Sequence, residues 1–137
     1  MATLVDTNVL IDLFEVGGAW ENWSMSRIAG ARAAGPVVIN PLIYAEMAAG
    51  FDFEVDLEAA LSPSKFAREE LPWQAAFLAG RAFSLYKRSG GTKRSPLPDF
   101  YIGAHAMVAG HILLTRDRAR YASYFPTLRI VSPETHP

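Results

Sequence analysis

The chain predicts an α/β fold, a three-layer α/β/α sandwich built on a central parallel sheet. Short apolar runs alternate along it with longer stretches of helical periodicity, and strands alternating with helices make crossover units that cover a parallel sheet on both faces. The run from Val37 to Ile39 is apolar throughout instead of alternating, as a strand buried on both sides should be. A length of 137 residues suits one domain, residues 1–137, with a single core, and 50% hydrophobic residues exclude a disordered chain.

Thr3 to Val5 is the first strand, and it runs straight into Asp6. Thr7 is placed to cap a helix that carries Val9, Leu10 and Leu13 on one side. Gly17 and Gly18 break the chain before a second helix, Trp20 to Ala34, with Trp20, Trp23, Ile28 and Ala31 near one face; Gly35 and Pro36 stop it. After the 37–39 strand, Asn40 and Pro41 combine an N-cap with a proline at the first helical position and open a helix to Ala49. Another helix spans Phe51 to Leu61 and closes at Ser62, Pro63 and Ser64. Phe66 to Leu71 carries no clear pattern. Pro72 opens a long helix, Trp73 to Arg88, with Ala76, Phe77, Gly80, Ala82 and Phe83 on its packed side. A Gly/Pro/Ser loop over 87–98 leads to a helix from Asp99 to Ala109 that stops at Gly110. The strand His111 to Leu114, a short helix around Tyr121 and a last strand, Arg129 to Val131, complete the order.

The totals narrow the function classes. The chain has no cysteine, which excludes disulfides and thiolate metal sites and fits a reducing cytoplasm. A basic n-region is missing from the start, and Asp6 and Asp12 interrupt any apolar run, so neither a signal peptide nor a membrane span is expected. A formal net charge of -1 means that any contact with RNA must come from a local basic patch.

Acids stand where such a sheet would gather them. Asp6 ends the first strand, Asp117 lies just past the 111–114 strand, and Asp99 begins a helix directly after Pro98. Glu46 shares its helix face with Leu42, Ile43, Ala49 and Gly50, which predicts a buried carboxylate in need of a partner. Each has a plain alternative: Asp99 as an N-cap, Asp117 in a turn paired with Arg118 or Arg120, Glu46 paired with an arginine. Together, oxygen ligands without cysteine and without a histidine pair select Mg²⁺, with Mn²⁺ as a substitute, over zinc.

The segments Leu4 to Asp12, Ala45-Glu46, Leu97 to Asp99 and Leu113 to Asp117, in this order, resemble the PIN-domain ribonucleases, and in particular the VapC toxins of toxin–antitoxin pairs. The resemblance covers nearly the whole chain. It implies a PIN-like domain whose Asp6, Glu46, Asp99 and Asp117 bind Mg²⁺ or Mn²⁺, with Asn8 helping to orient Asp6 and Thr115 in the polar set near the metal. It implies hydrolysis of RNA phosphodiesters by an activated water, inhibition by a cognate antitoxin, and a homodimer. The chain departs from many relatives in having Asn40 where they carry serine, and residues 51–71 match nothing sharply. Asp12, six residues after Asp6, is read as supporting or surface, not as a ligand.

Other features are weighed beside these. His105, His111 and His136 are read as structural. Lys87, Arg88, Lys93 and Arg94, with Arg116, are candidates to hold the RNA backbone, against a plain solvated loop. Trp20, Trp23 and Met25 offer a partner groove or simple core packing. An aspartyl phosphatase would need an acid at the position of Asn8. A PIN-like binding module with a decayed site would be expected to have lost some of the acids, and all of them are present.

Overall fold

The computed structural model describes residues 1–91 and 97–137. Lys93 and Arg94 therefore lie outside the described residues. The chain runs β1 (Thr3–Val5), α1 (Thr7–Phe14), α2 (Glu21–Ala34), β2 (Val37–Ile39), α3 (Pro41–Ala48), α4 (Glu54–Leu61), a 3₁₀ turn (Ser62–Ser64), β3 (Ala67–Arg68), α5 (Trp73–Arg88), α6 (Leu97–Ala109), β4 (Ile112–Leu114), α7 (Ala119–Ala122) and β5 (Ile130–Val131).

Among the described residues the sheet has the order β3-β2-β1-β4-β5, and each neighbouring pair is parallel. From β1 the chain winds outward through β2 to β3 and then returns to add β4 and β5 on the other side. The winding reverses between β1 and β4, and at such a switch point a crevice opens at the carboxyl ends of the strands. Leu4, Val5, Val38, Ile39, Leu113 and Leu114 are all buried, as strands covered on both faces require. The result is the expected α/β/α sandwich. No helix among the described residues is long and apolar enough to cross a membrane.

Three elements differ from the sequence reading. β3 falls inside the unassigned stretch; both its residues are exposed at the sheet edge, so no apolar pattern marks it. α4 starts at Glu54, three residues later than expected. On α5 the packed side is Ala75, Ala79 and Ala82, while Phe77 is 72% exposed and Gly80 is exposed too. Alanines at this helical spacing form a narrow ridge that lets α5 lie against α6, and the large rings are turned out.

Two glycines shape the ends and packing of α6. Gly103 brings α6 against the Phe125 ring, where a Cβ would come within 2.5 Å of it. Gly110, at φ +70°, ends α6. The His111 amide donates to the Ala106 carbonyl and the Gly110 amide to that of Met107, the paired closure that a left-handed residue after a helix makes.

Candidate active site

Asp6 sits at the switch point and is 3% exposed. It, and not Thr7, caps α1: its Oδ1 accepts from the Thr7 amide at 2.8 Å. Its Oδ2 accepts from the Thr115 hydroxyl at 2.8 Å and from the Tyr121 hydroxyl at 2.9 Å. Burial raises the Asp6 carboxyl above its ordinary value, against the lowering effect of these hydrogen bonds and of Arg120. Burial and the nearby charges of Asp6 and Asp99 push the Tyr121 phenol well above its usual range, so it remains a donor.

Asn8 acts on Asp6 through an intermediary. Its amide lies 3.4 Å from the Thr115 hydroxyl, and its Oδ1 accepts from the Arg116 amide at 3.2 Å. Thr115 also accepts from the Asp117 amide at 3.0 Å. The turn after β4 is thereby fixed to α1, and with it the hydroxyl that holds Asp6.

Thr7, no longer a cap, donates its hydroxyl to Glu46 at 2.7 Å. Glu46 is exposed, which corrects the expectation of a buried face: Ile43 and Met47 face the core, and Glu46 turns toward the start of α1. Among the described residues no arginine pairs with it. Asp99 lies in the first turn of α6, a helix already under way from Leu97, and so is not the N-cap. Its carboxyl is raised to about 6, first by burial, then by the negative charges of Asp6, Glu46 and Asp117, with Arg120 opposing. The Arg120 guanidinium stands 3.0 Å from Asp117 and 3.6 Å from Asp99. The local ion pair considered for Asp117 thus exists, but its arginine also serves Asp99.

The four acids therefore meet at one edge. Their oxygen-only donor set suits a hard divalent cation, and the elevated Asp99 shows that the site carries more negative charge than Arg120 balances. The residues present fit Mg²⁺ or Mn²⁺.

Asp12 is buried at 2% and accepts from the Ser24 hydroxyl at 2.6 Å and from the Arg116 Nε at 2.8 Å; it is a support, not a surface residue. Arg116 also lies over the Trp20 ring, 5.4 Å from its centroid, so its guanidinium has a structural task. Trp23 is half-buried against the core and donates to the His136 carbonyl, while Met25 is exposed.

Sequence reasoning missed a histidine pair. His105 and His111 both reach Glu69 Oε1, at 3.1 and 2.7 Å, and the three groups offer metal-type donors within 4.8 Å of one another. The direction of the hydrogen bonds argues against a metal there. Asn40 accepts from the Ile43 amide through Oδ1 at 2.9 Å, which leaves its NH₂ facing His105 Nδ1 at 3.0 Å. Nδ1 is then the acceptor, Nε2 carries the proton, and it donates to Glu69. A metal at Nε2 would require Asn40 to give up its cap. Burial lowers the His105 pKa, against Glu69, which raises it. Burial raises the Glu69 carboxyl, but hydrogen bonds and charge from His111 and His105 outweigh it, and its pKa is lowered.

The PIN domain family model matches residues 3–124. Among curated proteins, no sequence matches. Similar solved structures include a chain of Rickettsia felis VapBC2 bound to a fragment of its promoter DNA, with 14% identity, TM-score 0.75, and 96% of this chain and 98% of that one covered. A chain of VapBC-1 from nontypeable Haemophilus influenzae has 19% identity and TM-score 0.72, with 96% and 98% covered. A toxin–antitoxin complex from Klebsiella pneumoniae contains a chain with 27% identity and TM-score 0.62, with 96% and 97% covered.

Proposed function

The chain belongs to the PIN-domain family, and on that premise we propose that it is a Mg²⁺- or Mn²⁺-dependent endoribonuclease, the toxin of a toxin–antitoxin pair. The observation that carries the reading is the convergence of Asp6, Glu46, Asp99 and Asp117 with the Asp99 carboxyl raised to about 6. A site built only for stability would not hold four acids against one shared arginine.

Asp6, Glu46, Asp99 and Asp117 would hold the ion. Bound there, it would supply Lewis acidity at the scissile phosphate and lower the pKa of an attacking water. Thr115, Tyr121 and the Thr7 amide keep the Asp6 carboxylate in one orientation, and Asn8 keeps Thr115 in place. Arg120 is placed to meet a phosphate once the acids are neutralised. Lys93 and Arg94 remain candidates for the RNA backbone, whereas Arg116 would first have to leave Asp12. The Klebsiella likeness supports a cognate antitoxin as partner. A homodimer, a cytoplasmic site of action and a single working unit over 1–137 complete the proposal.

The test is the chemistry of the products. Water attack leaves 5′-phosphate and 3′-hydroxyl ends, and EDTA should abolish cutting. A histidine mechanism through the 2′-hydroxyl would leave 2′,3′-cyclic phosphate. His105 and His111 are engaged with Glu69, and His136 is bonded to Thr135. Persistent cyclic ends, or cutting indifferent to EDTA, would overturn the reading.

A further inference from the structure

A cleft of about 330 Å³ lies beside the acids. Its lining divides into two groups. Asp99, Asp117 and Arg120 are the charged group, with the arginine paired to both carboxylates. Tyr86, Phe100 and Tyr124 are the aromatic group, with ring centroids 5.0 to 6.2 Å apart and edge-to-face angles. Phe100 is buried at 3%, and Tyr86 and Tyr124 are half-buried around it. Phe100 directly follows Asp99 on α6, so one turn of helix carries both a candidate metal acid and the buried ring of the aromatic group.

A nucleotide has the same two halves, a charged phosphate and a flat apolar base. We infer that this cleft receives one unpaired nucleobase of the RNA, adjacent to the phosphate that is cut. The inference rests on the nuclease reading and adds to it a substrate class. A base paired within an A-form duplex has both faces stacked and cannot enter a side cleft; a base in a single strand or loop can be turned out and laid on rings. The substrate is therefore RNA unpaired at the cut. Because every base has a π face, the cleft selects for an unpaired base before it selects for sequence.

The test uses the whole chain in Mg²⁺ with two small probes, adenosine 5′-monophosphate and ribose 5-phosphate, followed by calorimetry. Stacking on an aromatic side chain changes affinity by about five- to a hundredfold, so the nucleotide should bind tighter than the sugar phosphate by that factor. Tyr124→Leu keeps apolar bulk and removes the ring; it should bring the nucleotide down to the sugar phosphate, while Tyr124→Phe should not. In parallel, an RNA that the protein cuts is made with an abasic position beside the cleavage site. It should be cut less well by the parent and no worse than intact RNA by Tyr124→Leu. Equal affinity for the two probes, no measurable nucleotide binding, or an unchanged Tyr124→Leu would overturn the base subsite even if RNA is cut. Base-dependent binding without any cutting would instead retain the subsite and remove the nuclease reading.

Discussion

Two clusters of ionisable groups in this molecule look alike by composition and differ in how their charges are satisfied. At the switch point, Asp6, Glu46, Asp99 and Asp117 gather around a single shared arginine, and Asp99 is displaced to about 6. Away from it, Glu69, His105 and His111 form a closed set in which the carboxylate accepts from both rings and Asn40 fixes the tautomer of one. Counting donors in close reach selects the second cluster as the metal site. Following each proton selects the first. A site that is short of positive charge can take a cation; a site whose donors and acceptors already match one another gains little from it.

Activity should separate the two clusters by the widest margin. Asp99→Asn should lower RNA cleavage by at least about a hundredfold, since even partners of metal ligands cost up to that. Glu69→Gln, which keeps the shape of the second cluster, should stay within a few fold of the parent. Equal losses in the two variants, measured as kcat/KM on one RNA, would erase the difference between them.

Metal response should separate them next. Mn²⁺ at a hundred times its dissociation constant should stabilise the parent by about 2.7 kcal/mol. Asp99→Asn should lose most of that gain, and His111→Ala should keep it. Melting curves with EDTA and with Mn²⁺ decide the matter: a response that vanishes in His111→Ala and survives in Asp99→Asn would move the metal to the histidines.

A smaller effect lies in the pH dependence of the metal-free protein. The Asp99 carboxyl is raised from 3.8 to about 6. Below pH 3.8 it is protonated in both the folded and unfolded chain and adds its full stability; as pH rises toward 6 that stability is lost. At about 1.4 kcal/mol per unit, discounted because Asp99 is 25% exposed, the loss is about 2 kcal/mol. Asp99→Asn cannot titrate. Relative to that variant, the parent should gain stability on acidification from pH 7 to pH 4, and at neutral pH the variant should melt no lower. The helix dipole opposes this by roughly 0.3–1 kcal/mol, since an acid in a first turn is favoured. A parent-minus-variant difference that stays flat between pH 4 and 7 would show that burial does not act on Asp99.

What was legible in the sequence divides along the same line. β1, β2 and β4 are apolar runs, and the acids stand directly after strands or at helix starts, so local patterns place Asp6, Asp99 and Asp117. The parts that escaped depend on pairs far apart in sequence. Tyr121 reaches Asp6 across 115 positions, and His111 reaches Glu69 across 42. Thr7 looked like a cap because a threonine before an apolar face usually is one, but Asp6 already fills that role and frees the hydroxyl for Glu46. Asp12 looked superficial because Ser24 and Arg116 come from other elements. Size misled on α5, where rings were expected inside and alanines are found there.

The smallest effect belongs to the closed cluster, and its sign is the reverse of the one at Asp99. Glu69→Gln retains an oxygen for the two imidazole N–H groups but removes its charge. A hydrogen bond to a charged group is worth more than one to a neutral group, and Glu69 is 38% open to solvent, so the loss should be about 1 kcal/mol at pH 7. The Glu69 carboxyl is lowered below its ordinary 4.5 by its histidine partners. Its contribution is therefore present above 4.5 and is lost as pH falls through the folded value. A protonated glutamate resembles glutamine, so the difference between parent and Glu69→Gln should close at the acid end of the series. The Asp99→Asn difference should open over the same approach to acid. Burial also lowers the His105 pKa beneath 6.5, and its neutral form adds stability above 6.5 that is lost on acidification. Both proteins carry that term, so to first order it cancels in the comparison. Urea midpoints of the parent and the two variants, taken from pH 7 to below 4, should thus give two differences that move in opposite directions. If both open or both close, the two clusters are not satisfied in the opposite ways that their hydrogen bonds indicate.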